Sequence, residues 1–199
     1  LRLTPGGLKN KFMFIQTEST PNPATLKFIP DGQIVLENDT AEFKSQKQAA
    51  TKSPLALQLL EISGIEGVFF GRDFITVTKN DNTDWAKIKT EILATIMDFY
   101  VSGKPIMFEQ KAKDADENSE DSDIVKQIKE LIEIKVRPAV AMDGGDIIFH
   151  SFEDGIVKLQ LKGSCSGCPS STITLKNGIE NMLKHYVPEV ESVEQVDLD

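Results

Sequence analysis

The chain has 199 residues, 40% of them hydrophobic and 27% charged, which is enough for one large core or two small ones. Two cysteines cannot staple a secreted minidomain, and no run of about 18 apolar residues exists to span a bilayer, so both classes are excluded and no membrane partner is expected. The net charge of −9 divides as 0 over residues 1–108, −4 over 109–122 and −5 over 123–199. Neither folded segment has the surplus of Lys and Arg that a phosphate backbone requires, which argues against nucleic acid as a partner.

Residues 1–12, LRLTPGGLKNKF, hold no acid and are punctuated by Pro5, Gly6 and Gly7. They read as a disordered N-terminal segment, either a frayed terminus or the remnant of a basic, acid-poor transit peptide. From Met13 the pattern becomes that of a small α/β unit. Extended stretches at Phe14-Ile15 and Leu26-Lys27-Phe28-Ile29 flank Thr20-Pro21-Asn22-Pro23, whose prolines fix φ and lack a donor, so that this segment must turn. Ser53-Pro54 predicts a helix start, with serine as N-cap, proline at the first position, Leu55, Leu59 and Ile62 as the apolar stripe and Gly64 as the stop. Gly67–Phe70 and Phe74–Thr78, separated by Gly71-Arg72-Asp73, predict a hairpin. Trp85, Ile88, Ile92, Ile96 and Phe99 predict a helix of about four turns, closed by Gly103 and Pro105. The first domain is placed at 13–108.

Residues 109–122, EQKAKDADENSEDS, carry six acids and no large apolar side chain. They cannot bury enough surface to offset the entropy of ordering, and predict a flexible acidic linker that lets two domains adjust to one another. The second domain, placed at 123–199, opens with a stripe at Ile124, Ile128, Leu131 and Ile132 that Pro138 ends or kinks. Ile147–Phe149, ending at His150, and Ile156–Leu161 predict two strands joined at Glu153-Asp154-Gly155. Ile173 to Leu183 predict a long helix closed by Val187-Pro188, and Val190 to Val196 a final strand. The fold class is α+β, two small α/β domains, with helix, strand, strand, helix, strand as the order in the second.

Both cysteines fall in Ser164-Cys165-Ser166-Gly167-Cys168-Pro169-Ser170, between a strand and a helix. Two intervening residues let both sulfurs converge on one ion or cluster, Gly167 permits a tight turn, and the following helix N-terminus favours thiolate. Cys165 and Cys168 are therefore the candidate metal and cofactor ligands. Zinc sites, iron–sulfur sites and thiol–disulfide oxidoreductases all use this spacing. A zinc or iron–sulfur centre normally takes four protein ligands, and His150 and His185 read as surface histidines. A full thiolate set then requires two chains, so the motif predicts a homodimer on loading. Redox exchange would need a thioredoxin-like fold, for which the single strand after the motif leaves too little chain.

Asp143-Gly144-Gly145-Asp146 reads as a sharp approach to the next strand, the glycines at positive φ and the aspartates on turn amides, in preference to a reading that sets the aspartates beside a bound cluster or partner. No nucleophile–base pair and no phosphate-cradling glycine loop can be assembled, so no catalytic residue is assigned and no enzyme is expected.

The run Asp143–Asp146 followed by Gly163-Ser164-Cys165-Ser166-Gly167-Cys168-Pro169-Ser170-Ser171 resembles the C-terminal domain of NifU-type proteins. Met13–Thr17, Thr20–Pro23, Leu26–Phe28, Phe69–Gly71 and Phe74–Val77 are similar to the N-terminal domain of eukaryotic Nfu proteins. The resemblance covers about residues 13–108 and 123–196. It implies an iron–sulfur cluster carrier of the mitochondrial matrix that holds a cluster, usually 4Fe-4S, with 2Fe-2S and zinc as alternatives, between the CxxC motifs of two chains. It further implies that Cys165 and Cys168 are the ligands, that upstream scaffold proteins supply the cluster, and that apo-proteins such as lipoyl synthase and respiratory-chain components receive it. The N-terminal domain, which has no cysteine, is expected to recognise a partner or shield the cluster.

Overall fold

The computed structural model describes residues 13–37, 39–108, 122–166 and 169–197. The expected disordered segment at 1–12, residues 109–121 of the expected linker at 109–122, and Cys168 lie outside the described residues.

Strands β1 (Ile15–Ser19), β2 (Thr25–Pro30), β3 (Ala41–Phe43), β4 (Ile65–Phe70) and β5 (Ile75–Lys79) form an antiparallel sheet in the order β1-β2-β5-β4-β3. Successive strand side chains point to opposite faces, and the register sorts this sheet into rungs. One rung reads Thr17, Phe28, Ile75, Phe70, Ala41, and another Ser19, Leu26, Val77, Val68, Phe43. Both supply the N-terminal core, where helices α2 (Pro54–Glu61) and α3 (Trp85–Ser102) cover them with Leu55, Leu59, Ile88, Ile92, Ile96 and Phe99. The rung between reads Glu18, Lys27, Thr76, Phe69, Glu42 and faces the other way.

Local chemistry matches expectation. The 20–24 segment turns between β1 and β2, Ser53 caps α2 by accepting the Ala56 N–H at 3.1 Å, and Gly103 ends α3 at φ 65°. Helix α3 is longer than expected at 18 residues, or about five turns. The sequence reading did not find β3 or the short helix α1 (Gln46–Ala50), which Ser45 caps through the Gln48 N–H.

The second domain has its own core, built on the sheet order β6-β7-β8. Strands β6 (Gly145–Glu153) and β7 (Ile156–Gly163) are an antiparallel hairpin turned at Asp154-Gly155, both at positive φ, and β8 (Ser192–Gln195) pairs parallel to β7 after α6 (Pro169–Tyr186) crosses over. The helix before them differs from expectation. Helix α4 (Asp123–Leu131), capped by Ser122, runs into a π-helical turn at Ile132–Val136 and on into α5 (Arg137–Met142). Pro138 neither stops nor visibly breaks the helix, because it stands in the first turn of α5, where a missing N–H costs little. Ile128, Ile132, Val136 and Val140, four residues apart, all reach the core.

Candidate metal centre at the end of β7

Cys165 lies just past the end of β7 and four residues before the first residue of α6, the strand–motif–helix placement expected of it. The chain leaves β7 at Gly163, φ 66°, and turns with a Ser166 N–H to Gly163 carbonyl bond of 3.1 Å. Positive φ is the first reason for glycine there, and space is the second. A Cβ on Gly163 would stand 2.6 Å from the Gly144 carbonyl oxygen and 2.9 Å from the Phe69 ring.

Above the sulfur lies the Asp143–Gly145 turn. Gly144 takes the positive φ expected of it, 82°. Gly145 does not, and its glycine has another cause: a Cβ would sit 2.9 Å from Cys165 Sγ and 2.5 Å from the Lys162 carbonyl oxygen. Ser164 ties this turn to the motif, its N–H donating to the Gly144 carbonyl at 3.2 Å and its hydroxyl to the Asp143 carbonyl, with Oγ 3.8 Å from Cys165 Sγ. Cys165 is 5% exposed.

Asp146 was expected to serve turn amides, and Oδ1 does accept the Ile147 N–H at 2.8 Å. Its main partner is a residue the sequence reading missed. Arg137 grips both carboxylate oxygens, Nε to Oδ1 at 2.8 Å and NH2 to Oδ2 at 3.1 Å, while NH1 reaches Glu133 at 2.8 Å. These contacts hold the guanidinium above its already high ordinary pKa despite partial burial. Thr40 of the first domain adds a 2.7 Å bond to Asp146 Oδ2. Beside this pair opens a cleft of about 500 Å³ between the domains, where Asp39, Glu133 and Asp146 balance Lys129, Arg137 and Lys162.

The domains meet at the motif. Lys27 Nζ donates to the Ala141 and Met142 carbonyls at 3.2 Å, Thr76 Oγ1 to the Gly144 carbonyl at 2.7 Å and Asn22 Nδ2 to the Ser164 carbonyl at 3.2 Å, while Glu42 accepts the Gly163 N–H at 3.0 Å. None of these was found from sequence. The available signal was the alternation of β2, β3 and β5, which places Lys27, Glu42 and Thr76 opposite the core positions.

The histidines stay apart from this arrangement. His150, expected at a strand end, sits within β6 at the irregularity between Phe149 and Ser151, exposed and beside Gln160 Oε1 at 3.3 Å. His185 is exposed on the last turn of α6 against the Tyr186 ring. Among the described residues no group of three or more His, Cys, Asp or Glu is placed to hold a metal ion. A cysteine sulfur is a soft ligand that suits iron or zinc, and one described thiol does not complete a four-ligand set.

A two-domain α+β chain whose CxxC sequence lies between β7 and α6 narrows the class, and the sequence comparisons resolve the family. The family described as scaffold protein Nfu/NifU N terminal matches residues 15–103, and the NifU-like domain family matches residues 128–194. The chain belongs to the Nfu family of two-domain proteins with a NifU-like C-terminal domain. It is 56% identical over 187 residues to a Homo sapiens protein named NFU1 iron-sulfur cluster scaffold homolog, mitochondrial, covering 94% of this chain and 73% of that one. The Drosophila persimilis protein of the same name is 49% identical over 204 residues, covering 98% and 72%.

Proposed function

We propose that this chain is an iron–sulfur cluster scaffold and carrier of the mitochondrion, working in the matrix. It holds one 4Fe-4S cluster as cargo between Cys165 and Cys168 of two copies and passes it to apo-proteins, lipoyl synthase and respiratory-chain components among them. The observation that carries this reading is the seat of Cys165, on the turn between β7 and α6 with Gly145 packed closely against its sulfur. The relatives' name, iron-sulfur cluster scaffold, supports the cargo, and its word mitochondrial supports the compartment. Sharing between copies is supported by the ligand count. Two exposed apolar residues, Met142 beside the Asp143–Gly145 turn and Ile173 near the start of α6, add apolar surface at this end of the domain.

The chemistry asks little of the chain beyond holding and letting go. Thiolates supply soft ligands, and a cluster with no ligand to spare is open to replacement of one chain at a time by an acceptor's thiolates. Anaerobic reconstitution with iron and sulfide, followed by size exclusion, tests the reading. About two irons and two sulfides per chain in a dimer peak are expected. Cys165→Ser and Cys168→Ser are each expected to abolish uptake and loading-linked dimerisation with the circular dichroism of the parent. A monomer that keeps a full cluster, or a chain that takes zinc alone or closes an intrachain disulfide, would overturn it.

A further inference from the structure

The rung Glu18, Lys27, Thr76, Phe69, Glu42 lies on the sheet face that carries no helix, yet its central residues are buried: Lys27 is 9% exposed, Phe69 2% and Thr76 0%. What covers them is the neighbourhood of Cys165. Glu18 pairs with Lys27 at 3.6 Å, and Lys27 reaches the last carbonyls of α5, where a cation is favoured. Thr76 holds the Gly144 carbonyl, Phe69 packs on Gly163, and Glu42 holds the Gly163 N–H. Asn22, one turn away, holds the Ser164 carbonyl.

These contacts divide into two groups around one sulfur. Lys27 holds the last carbonyls of α5 and Thr76 the Gly144 carbonyl of the turn that follows, while Glu42 and Asn22 hold Gly163–Ser164. Gly145, paired with Gly163 at the end of the β6–β7 ladder, lies between these two groups and against Cys165 Sγ. A thiol so covered cannot be a ligand to a cluster shared with a second copy until the turn lifts. The contacts are side-chain to backbone hydrogen bonds with one aromatic ring among them. Water can replace such bonds at small net cost, and polar contacts between domains open readily.

We infer that this rung is an intramolecular latch: docked, it holds the Asp143–Gly145 turn over Cys165, and its release is the step that presents Cys165 to a second copy of the chain. The inference rests on the reading of Cys165 as a cluster ligand, and it assigns the N-terminal domain the task of gating that ligand.

The competing possibility is that the C-terminal domain keeps the turn closed by itself, through the bonds of Ser164 to Asp143 and Gly144 and the β6–β7 pairing of Gly145 with Gly163. The two differ in what happens to the sulfur when the domains part. In the full chain with Cys168→Ser, Cys165 is the only thiol, and its reaction with the disulfide reagent DTNB reads its exposure directly. Lys27→Glu sets a carboxylate against the α5 carbonyls and beside Glu18, and Asn22→Ala with Glu42→Ala removes the lower pair. None of these side chains belongs to the N-terminal core cluster. Each variant is expected to react about tenfold faster than its parent, with a larger hydrodynamic radius. A rate equal to the parent's in both variants, whether or not the radius grows, would overturn the latch. In the two-cysteine chain the same substitutions are expected to speed iron uptake. Failure of parent and variants alike to take up iron would count against the cluster reading, and the thiol rates would still decide the latch.

Discussion

Gly145 carries more of the site than its size suggests. It has an ordinary φ, so nothing in its backbone demands glycine, and the demand comes from Cys165 Sγ and the Lys162 carbonyl on either side of the missing Cβ. The Lys162 oxygen is backbone held in the β6–β7 ladder, so a Cβ there must shift the start of β6 itself and crowd the sulfur beside it. Gly145→Ala is therefore expected to displace Cys165 and lower iron uptake at least severalfold, while leaving Trp85 fluorescence, which reports the N-terminal core, at its parent value. Uptake equal to the parent's would show that the crowding is relieved elsewhere. The cysteine's placement was legible from spacing alone, because strand, CxxC and helix follow one another in sequence. The crowding was not, since it joins a residue of β6 to one twenty positions later. Arg137 was hidden for the same reason: its partner Asp146 lies beyond a turn, and a basic residue next to a proline reads as solvated.

At the scale of elements, Glu180 links α6 to β8. One oxygen accepts Lys184 Nζ at 2.6 Å and the other the Val193 N–H at 3.0 Å. The Lys184 bond first, then the Val193 N–H, holds this carboxyl below its ordinary value of 4.5. A group whose folded pKa is depressed stabilises the fold above its unfolded pKa, and that contribution is lost as pH falls through the folded value. Glu180→Gln is expected to flatten the part of the acid-unfolding curve below 4.5 relative to parent, followed by circular dichroism; identical acid limbs would remove Glu180 from the account. Elements of clear period were legible: α2 and α3 from their stripes and caps, β4–β5 and β6–β7 from alternation and turn residues. Strand β3 has three residues and α1 five, too few for any period to register. The continuation through Pro138 was missed because the rule that proline breaks a helix assumes a regular α-helical interior, whereas here a wide π turn leads straight into α5 and Pro138 stands in its first turn.

At the scale of the whole molecule two cores stand apart, with no buried residue common to both among the described residues. What joins them is largely polar, so their unfolding is expected to be separable. Trp85, the single tryptophan, packs on the N-terminal core and donates to the Pro23 carbonyl at 3.1 Å. In urea its fluorescence is expected to report a transition that does not coincide with circular dichroism, which sees both sheets. Coincident curves would mean that the docked rung makes the two cores one cooperative unit. The docking itself was the least legible feature, since a carbonyl acceptor looks the same in every residue and leaves no mark on sequence.

The π turn at Ile132–Val136 has a geometric effect on that docking. Four steps along a regular helix overshoot a full revolution by about 40°, so the four-residue spacing of Ile128, Ile132, Val136 and Val140 would wind away from the core. The wider turn takes up part of that angle and resets the screw of the helix. Everything after it is rotated accordingly, including Arg137 onto Asp146 and the Ala141 and Met142 carbonyls onto Lys27. One surplus residue buried in a helix thus sets the angle at which two domains engage, and losing it would misalign them as a gear skipping one tooth misaligns a shaft.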